Sequence, residues 1–161
     1  MKKVILIFTL VFGIVFSVSG QRFSKNALGL RLGSNDGFGA EVSYQRKLSK
    51  DNRLELDLGW RNSKDYDAFK IAGLYQWVME IENNFNWYAG AGGGLGSWSL
   101  NNKKFNESGT FLFLAGDIGV EYYFDIPLQI SLDFRPELYL GSKGYRDGIG
   151  SDIGLGIRYK F

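Results

Sequence analysis

The chain lacks two residue types entirely, because none of its 161 residues is a cysteine or a histidine. Without cysteine there is no disulfide bond, so the fold must be stabilised by burial and hydrogen bonding alone. For the same reason we expect no lipid anchor on an N-terminal cysteine. Zinc sites are built mainly from these two residue types, and scattered acidic residues give only weak support to calcium. We therefore predict no metal site and no cofactor.

Long apolar runs are also missing, except at the N-terminus. There, two lysines precede an apolar run from Val4 to Phe16, and small residues follow it. The run is short for a membrane helix and has the pattern of a secretory signal peptide. We predict a signal peptide over residues 1–20, with cleavage before Gln21.

The rest of the chain, residues 21–161, has no excess of charge of either sign. Residues 1–20 contain two lysines and no acidic residue, which leaves equal numbers of basic and acidic side chains in the predicted single domain. Nucleic-acid-binding proteins normally present a concentrated basic surface, so we predict no nucleic-acid partner. Helical periodicity of useful length is also absent, which leaves strands as the main element.

What this domain does contain is an alternation of apolar and polar residues with a period of two. From Arg53 to Arg61, for example, Trp60 and three leucines alternate with Glu55, Asp57 and a glycine. We predict eight strands with one apolar and one polar face, at residues 28–32, 38–45, 53–61, 69–77, 85–97, 112–124, 128–140 and 152–161.

The connections between these segments differ systematically in length. Three alternate links are fairly short, at residues 48–52, 79–84 and 125–127. Three of the four opposite links are longer and more polar; the four lie at residues 34–37, 61–67, 97–109 and 141–148. Short periplasmic turns and longer outer loops are typical of outer-membrane barrels.

Aromatic residues on the apolar faces cluster at the strand ends. The ends predicted to be periplasmic carry Tyr44, Tyr75, Trp77, Trp87, Tyr122, Phe124, Tyr159 and Phe161, and the opposite rim carries Phe38, Trp60 and Phe69. Such belts form where amphipathic rings meet lipid headgroups, whereas a soluble sandwich has no reason to align them. We therefore predict an all-β fold, an eight-stranded antiparallel up-and-down transmembrane β-barrel surrounded by outer-membrane lipid.

Four segments carry a resemblance to a known family: residues 37–45, 53–60, 125–136 and 157–161. From Asn26 to Phe161 the chain resembles the outer-membrane protein β-barrel domain family of Gram-negative bacteria. These are the small porin-like barrels related in architecture to OmpA and OmpX. The resemblance implies the barrel fold and a location in the cell outer membrane.

The resemblance also implies an assembly partner and argues against an enzyme. Phe161, with Tyr159 and Ile157 on the same strand face, resembles the signal that the barrel assembly machinery recognises in this family. The family shares no catalytic motif, and its known enzymes rely on a histidine that this chain lacks. We predict that the protein is not an enzyme.

Charged residues on the polar strand faces have two interpretations. Carboxylates that share a face, such as Asp133 and Glu137, could serve acid–base chemistry. The interior of an eight-stranded barrel is just wide enough to be filled by side chains, and buried charges need partners. We therefore favour a lumen ion network made of Arg31, Glu41, Glu55, Asp57, Lys70, Asp117, Glu121, Asp133, Arg135, Glu137 and Arg158.

A glycine-rich segment at residues 89–96 could suggest a phosphate loop. Such loops require a following helix, and none is predicted. Glycine within a strand more often permits bending or the close approach of a neighbouring side chain. We expect Tyr139 or Tyr123 to fill the space that these glycines leave in the lumen.

The leading functional hypothesis is a non-enzymatic barrel with a charged, side-chain-filled lumen, whose loops, chiefly residues 97–109, serve envelope structure or surface binding. The alternatives are a small porin-like transport channel and a soluble periplasmic lipocalin-like carrier. Basic loop residues could contact the phosphates of lipopolysaccharide, but interspersed acids favour a merely solvated surface. These basic residues are Lys64, Lys103, Lys104, Lys143 and Arg146.

Overall fold

The computed structural model describes residues 24–34, 39–62, 66–100, 107–140 and 148–161. The predicted signal peptide and its cleavage site before Gln21 lie outside the described residues. Nothing within these ranges forms a helix long and apolar enough to span a membrane.

Eight strands form a closed barrel in which each strand pairs with the next along the chain, always antiparallel, and the last returns to the first. The predicted eight-stranded up-and-down antiparallel barrel is confirmed. The strands are β1 (Asn26–Gly33), β2 (Gly39–Lys47), β3 (Asn52–Asn62), β4 (Tyr66–Glu82), β5 (Phe85–Leu100), β6 (Ser108–Tyr123), β7 (Leu128–Leu140) and β8 (Gly148–Lys160).

The barrel closes between its first and last strands. Asn26 and Phe161 exchange two backbone hydrogen bonds, of 3.0 and 2.9 Å between nitrogen and oxygen. Because closure leaves no unpaired edge strand, the backbone polar groups of the wall are satisfied within the sheet. We call the end of the barrel with these two residues the terminal end and the opposite end the loop end.

The period-two pattern sorts side chains between the two faces of this wall. In β7, Ser131, Asp133 and Arg135 are buried inside, whereas Leu132 and Phe134 are exposed outside. The other strands follow the same rule, so a charged interior is enclosed by an apolar exterior. This arrangement is the reverse of a soluble barrel with an apolar core.

Two predicted links at the loop end were too long. The structure pairs Ser97 with Thr110 and Ser99 with Ser108, so β5 and β6 extend well into the predicted link at residues 97–109. Likewise Asn62 pairs with Asp67, inside the predicted link at 61–67. These strand ends have polar side chains and were interpreted as loops. Backbone pairing needs no apolar side chain, so the ladder continues beyond the apolar band.

Strand ends at residues 79–84 and 148–151 show the same kind of difference. The predicted link at 79–84 shrinks to two residues, because β4 continues to Glu82 and β5 begins at Phe85. Asn83 adopts a positive φ of 47°, a conformation that asparagine tolerates better than most residues. At the loop end β8 begins at Gly148, before the predicted start at residue 152.

Aromatic side chains border the apolar band as predicted. Neighbouring rings pair at the terminal end, with centroid distances of 5.0 Å for Tyr75–Trp77, 4.9 Å for Tyr122–Phe124 and 6.3 Å for Tyr159–Phe161. Trp60 and Phe69 face outward towards the loop end. Phe38 lies outside the described residues.

Candidate functional site

The lumen holds all eleven side chains of the predicted ion network. Each of them is at least 95% buried, and each lies on the inner face of its strand. The structure adds Arg53 and Asp152, which were not predicted as members although they share the strand parity of Glu55 and Arg158. Strand parity alone would have identified both residues. Three buried amides, Gln45, Gln76 and Gln129, lie among the charges.

Arg31 of β1 is the first centre of the network. Its Nη1 atom lies 2.9 Å from Glu41 Oε2 and 2.8 Å from Asp152 Oδ2, and its Nε atom donates to Asp133 Oδ1 at 3.0 Å. One guanidinium therefore joins β1 to β2, β7 and β8. Gly154 makes room for it, since a Cβ there would lie 2.3 Å from Arg31 Cζ.

Arg135 of β7 is the second centre and reaches across the lumen. Its Nη1 atom is 2.8 Å from Asp57 Oδ2, and its Nη2 atom is 2.9 Å from Glu55 Oε1. Glu41 Oε2 is 3.6 Å from Nη1, and Asp117 Oδ1 is 3.9 Å from Nε. Four carboxylates from three strands thus surround one cation.

The terminal end of the lumen contains a smaller group around Arg53. Its Nη1 atom lies 2.6 Å from Glu121 Oε2 and donates to Tyr123 Oη at 3.2 Å. The Tyr123 hydroxyl in turn donates to Glu121 Oε1 at 2.8 Å, and Gln129 Nε2 donates to Glu121 Oε2 at 3.0 Å. The carboxylate, the hydroxyl and the amide of this layer are therefore all hydrogen-bonded, whereas Arg53 Nη2 is buried without a hydrogen-bond partner among the described residues.

Arg158 and Lys70 complete the network. Arg158 Nη2 lies 3.3 Å from Glu55 Oε2, and its other nitrogens donate to the hydroxyls of Ser43 and Ser131. Lys70 Nζ lies 2.6 Å from Glu137 Oε1. It is also 3.1 Å from Glu41 Oε1, which connects it to the group around Arg31.

Towards the loop end the lumen is filled by an aromatic cluster instead. We define this cluster as Phe111, Phe113, Tyr139 and Trp98, together with the small apolar residues around them. Ring centroids lie 5.6 Å apart for Phe111–Tyr139 and 5.9 Å apart for Phe113–Tyr139. The Tyr139 hydroxyl donates to Glu137 Oε2 at 2.5 Å, so the cluster is continuous with the ion network.

The expectation for the glycine-rich segment was only half right. Tyr139 does lie in the cluster, but the rings against Gly94 and Gly96 belong to Phe113 and Phe111, their direct partners on β6. Tyr123 is instead held by Arg53 at the terminal end. The strand register decides which ring meets which glycine, and that register was not inferred from the sequence.

The chemistry of the lumen is that of a packed structural network. Among the described residues, no cluster of three or more His, Cys, Asp or Glu side chains is arranged to hold a metal ion. The carboxylates that could act as acid and base are ion-paired and buried from solvent, as Asp133 and Glu137 illustrate. A buried charge that has partners contributes to the order of the lumen, but it does not by itself form a substrate site.

No protein-family model and no curated protein matches the sequence. The solved structures do contain similar proteins. The N-terminal barrel domain of OprF from Pseudomonas aeruginosa has a TM-score of 0.71 at 15% identity, covering 89% of this chain and all of that domain. Neisserial surface protein A has a TM-score of 0.68 at 16% identity, covering 84% of this chain and 94% of that one.

A third similar structure is Ail, the attachment invasion locus protein of Yersinia pestis. Its TM-score is 0.58 at 17% identity, covering 89% of this chain and all of Ail. These three are small eight-stranded outer-membrane barrels. This chain shares their fold.

The exterior of the barrel shows why this fold belongs in a membrane. Large apolar side chains such as Leu30, Leu132 and Ile157 project outward from the wall and are 47–51% exposed. Lipid can cover such a band, whereas water cannot do so without a large cost in free energy. The predicted likeness to small outer-membrane barrels is confirmed as a likeness of fold, and the predicted location in the cell outer membrane agrees with this apolar exterior.

Proposed function

We propose that this outer-membrane barrel is a non-enzymatic protein with a closed lumen, which acts through its rigid body and its surface. The observation that carries the proposal is the ion network centred on Arg31 and Arg135, which crosses the lumen and is fully buried. The aromatic cluster fills the lumen beyond it. A lumen packed in this way provides a scaffold for recognition at the barrel surface.

A porin-like channel is the main competing function, and the packed lumen argues against it. Aqueous channels are characteristic of barrels with about sixteen strands or more, while eight strands leave an interior that side chains can fill. We expect the purified barrel to show little or no steady conductance in planar bilayers, with a sixteen-stranded porin in the same lipid as the positive control. Stable, reproducible channels of porin size would contradict a closed lumen.

A soluble lipocalin-like carrier is incompatible with the direction of the side chains. Such a carrier holds apolar ligands in an apolar interior, whereas this interior holds the charges and the apolar residues face outward. We expect the protein in the membrane fraction, soluble only in detergent. Recovery of the chain from the soluble periplasm without detergent would contradict the proposal.

The proposed partners are outer-membrane lipid, the barrel assembly machinery and lipopolysaccharide. Ile157, Tyr159 and Phe161 lie on the outer face at the terminal end and are 47–59% exposed, so an assembly factor can reach them. The basic residues predicted to contact lipopolysaccharide phosphates, Lys64, Lys103, Lys104, Lys143 and Arg146, lie outside the described residues. Their role stays a prediction.

Phe161 provides the test of the assembly signal. We expect Phe161→Asp, or deletion of Phe161, to lower the amount of heat-modifiable barrel on unboiled gels far more than it lowers synthesis. The residue also closes the barrel against Asn26, so a loss in cells has two possible causes. Refolding of the same variant into detergent separates them, because this reaction needs closure but no assembly machinery.

The matched control is Phe161→Tyr, which keeps an aromatic ring at the interface and should assemble normally. Unchanged barrel levels in Phe161→Asp would contradict the assembly signal. An equal loss in cells and in detergent refolding would assign Phe161 to closure alone.

A further inference from the structure

The outer face of the wall is interrupted by a depression at the loop end, on β3, β4, β5 and β6. Its volume is about 660 Å³, within the range of small-molecule sites. Eleven residues line it: Trp60, Asn62, Asp67, Ala68, Phe69, Ser97, Trp98, Ser99, Ser108, Gly109 and Thr110. Ala68 and Trp98 also belong to the buried aromatic cluster, but none of the eleven residues takes part in the ion network or in the closure of the barrel.

One row of paired residues forms its apolar wall and its floor. Trp60 pairs with Phe69, Phe69 with Ser97, and Ser97 with Thr110, so two large rings lie beside two hydroxyl groups. Both rings project outward, with 51% of Trp60 and 46% of Phe69 exposed. Large side chains next to small ones on a shared face create the depression.

A second row, nearer the loop end, is entirely polar. Asn62 pairs with Asp67, Asp67 with Ser99, and Ser99 with Ser108. The Asn62 Nδ2 atom donates to Asp67 Oδ1 at 2.6 Å, which fixes the carboxylate and leaves its second oxygen able to accept from a ligand. Neighbouring strands lie about 4.8 Å apart, so the two rows span about 14 Å around the barrel.

The composition of these rows differs from the outward face at the other end of the same strands. There, β4, β5 and β6 carry Tyr75, Trp77, Trp87 and Tyr122 as an aromatic belt. At the loop end the belt on β5 and β6 is replaced by hydroxyl groups. A hydroxyl-lined depression beside two rings suits a ligand with one apolar face and many hydroxyl groups.

The charge of the lining residues restricts the class of ligand further. Among the described residues that line the depression, Asp67 is the only charged one. A phosphate group would meet a carboxylate and no cation there, which is unfavourable. A neutral sugar ring can pack one face on an indole or phenyl ring while its hydroxyl groups donate to Asp67 and exchange hydrogen bonds with the serines.

We propose that this depression binds a neutral sugar ring of an outer-leaflet glycolipid. The proposal rests on the proposed function and on the predicted topology, in which the short turns of the terminal end are periplasmic and the loop end therefore lies at the outer surface, where the sugars adjoin the lipid region. The first row, which contains both rings, would lie at the depth of the headgroups, and the polar second row would lie at the depth of the first sugars. The site would thus give the exterior of the barrel a recognition surface on the strands themselves.

The test compares two probes on the full barrel in micelles of lauryldimethylamine oxide, a detergent whose headgroup contains no sugar that could compete for the depression. One probe, called the sugar-bearing probe, is lipopolysaccharide that retains its core sugars, and the other is lipid A, which keeps its two phosphorylated glucosamines but has no core sugars. We expect the sugar-bearing probe to bind about tenfold more tightly, the effect of one favourable ring contact. Equal affinity for the two probes would overturn the proposal, and so would tighter binding of free core oligosaccharide than of the glycolipid.

Two variants and one control locate the site. Trp60→Leu removes the ring but stays apolar, and Ser97→Leu fills the depression with a side chain that lipid tolerates. We expect both to lose the preference for the sugar-bearing probe. Trp77→Leu on β4 removes an outward ring of similar exposure at the terminal end and should keep the preference. Equal behaviour of Trp60→Leu and Trp77→Leu would overturn the proposal.

Heat modifiability, measured on the same samples, shows that each variant is folded. Bilayer conductance tests the closed lumen independently of any ligand. A conducting barrel that still prefers the sugar-bearing probe would contradict the proposed function alone, and a closed barrel without this preference would contradict the sugar site alone.

Discussion

The lumen is filled in two different ways at its two ends. From the terminal end to the middle, charged side chains of seven strands meet around Arg31, Arg53 and Arg135. Towards the loop end, Phe111, Phe113 and their neighbours fill the space with apolar rings. The ion network depends on each charge having its partner, while the aromatic cluster depends on shape.

The two regions meet at Lys70. Its ammonium group is ion-paired with Glu137 and lies 5.5 Å from the centroid of the Phe113 ring. Tyr139 contributes its ring to the cluster and its hydroxyl to Glu137. Because no gap separates the regions, damage to either should open the lumen, although by different mechanisms and to different extents.

The largest effect should come from removing the central cation. Arg135→Ala leaves Glu55 and Asp57 without their closest cation, at an expected cost of about 3–5 kcal/mol in the free energy of unfolding. Urea titration of the barrel in detergent, followed by tryptophan fluorescence, measures this cost. The control is Asp117→Asn, which keeps its shape and lies 3.9 Å from Arg135, and should cost much less.

A double variant tests whether the loss of stability comes from carboxylates left without their cation. Arg135→Ala with Asp57→Ala removes the cation and one of its carboxylates together, so fewer uncompensated charges stay buried. We expect this double variant to be more stable than Arg135→Ala alone. If the double variant were the less stable of the two, partner loss would not be the mechanism.

Removing one ring from the aromatic cluster should have the next largest effect on the free energy of unfolding. Phe113→Ala removes a ring that contacts both Phe111 and Tyr139, and we expect a loss of about 3 kcal/mol in the free energy of unfolding from transfer and cavity terms. Leu112→Ala is the matched control, because the neighbouring Leu112 faces lipid and leaves no enclosed cavity. Equal losses in the same urea titration would show that the cluster is not close-packed.

The sequence predicted the ion network more completely than the aromatic cluster. Each charge could be assigned to the lumen from parity within its own strand, as Asp133 and Arg135 show, because the strand period sends alternate residues to the same side. Phe113 has the same inward parity but is apolar, so the outward apolar pattern of β6 concealed it. Its place against Gly94 depends on the β5–β6 register, which parity within one strand does not give.

The strand ends were the other part that parity could not supply. The second row of the depression, which includes Asn62 and Ser99, lies on strands, yet its polar side chains were interpreted as loop residues. Apolar and polar residues alternate only along the part of a strand that separates lipid from the lumen, so this alternation does not show where the strand ends. The predicted fold was therefore right, while the polar row of the candidate sugar site, from Asn62 to Ser108, lay within segments interpreted as links.

The smallest expected effect tests how firmly the network holds its central side chains. A Cβ at Gly154 would meet only the flexible end of Arg31, at 2.3 Å from Cζ, so Gly154→Ala is tolerable if the guanidinium can move. Three carboxylates on three strands hold Arg31 in place, and we expect a loss of about 1–3 kcal/mol. Gly73→Ala is the control, since its nearest neighbour is Leu56 Cδ2 at 3.5 Å, and it should stay within about 0.5 kcal/mol of the unmodified barrel. Equal urea midpoints for the two variants would mean that Arg31 can shift freely, and that the network fills the lumen without fixing its geometry.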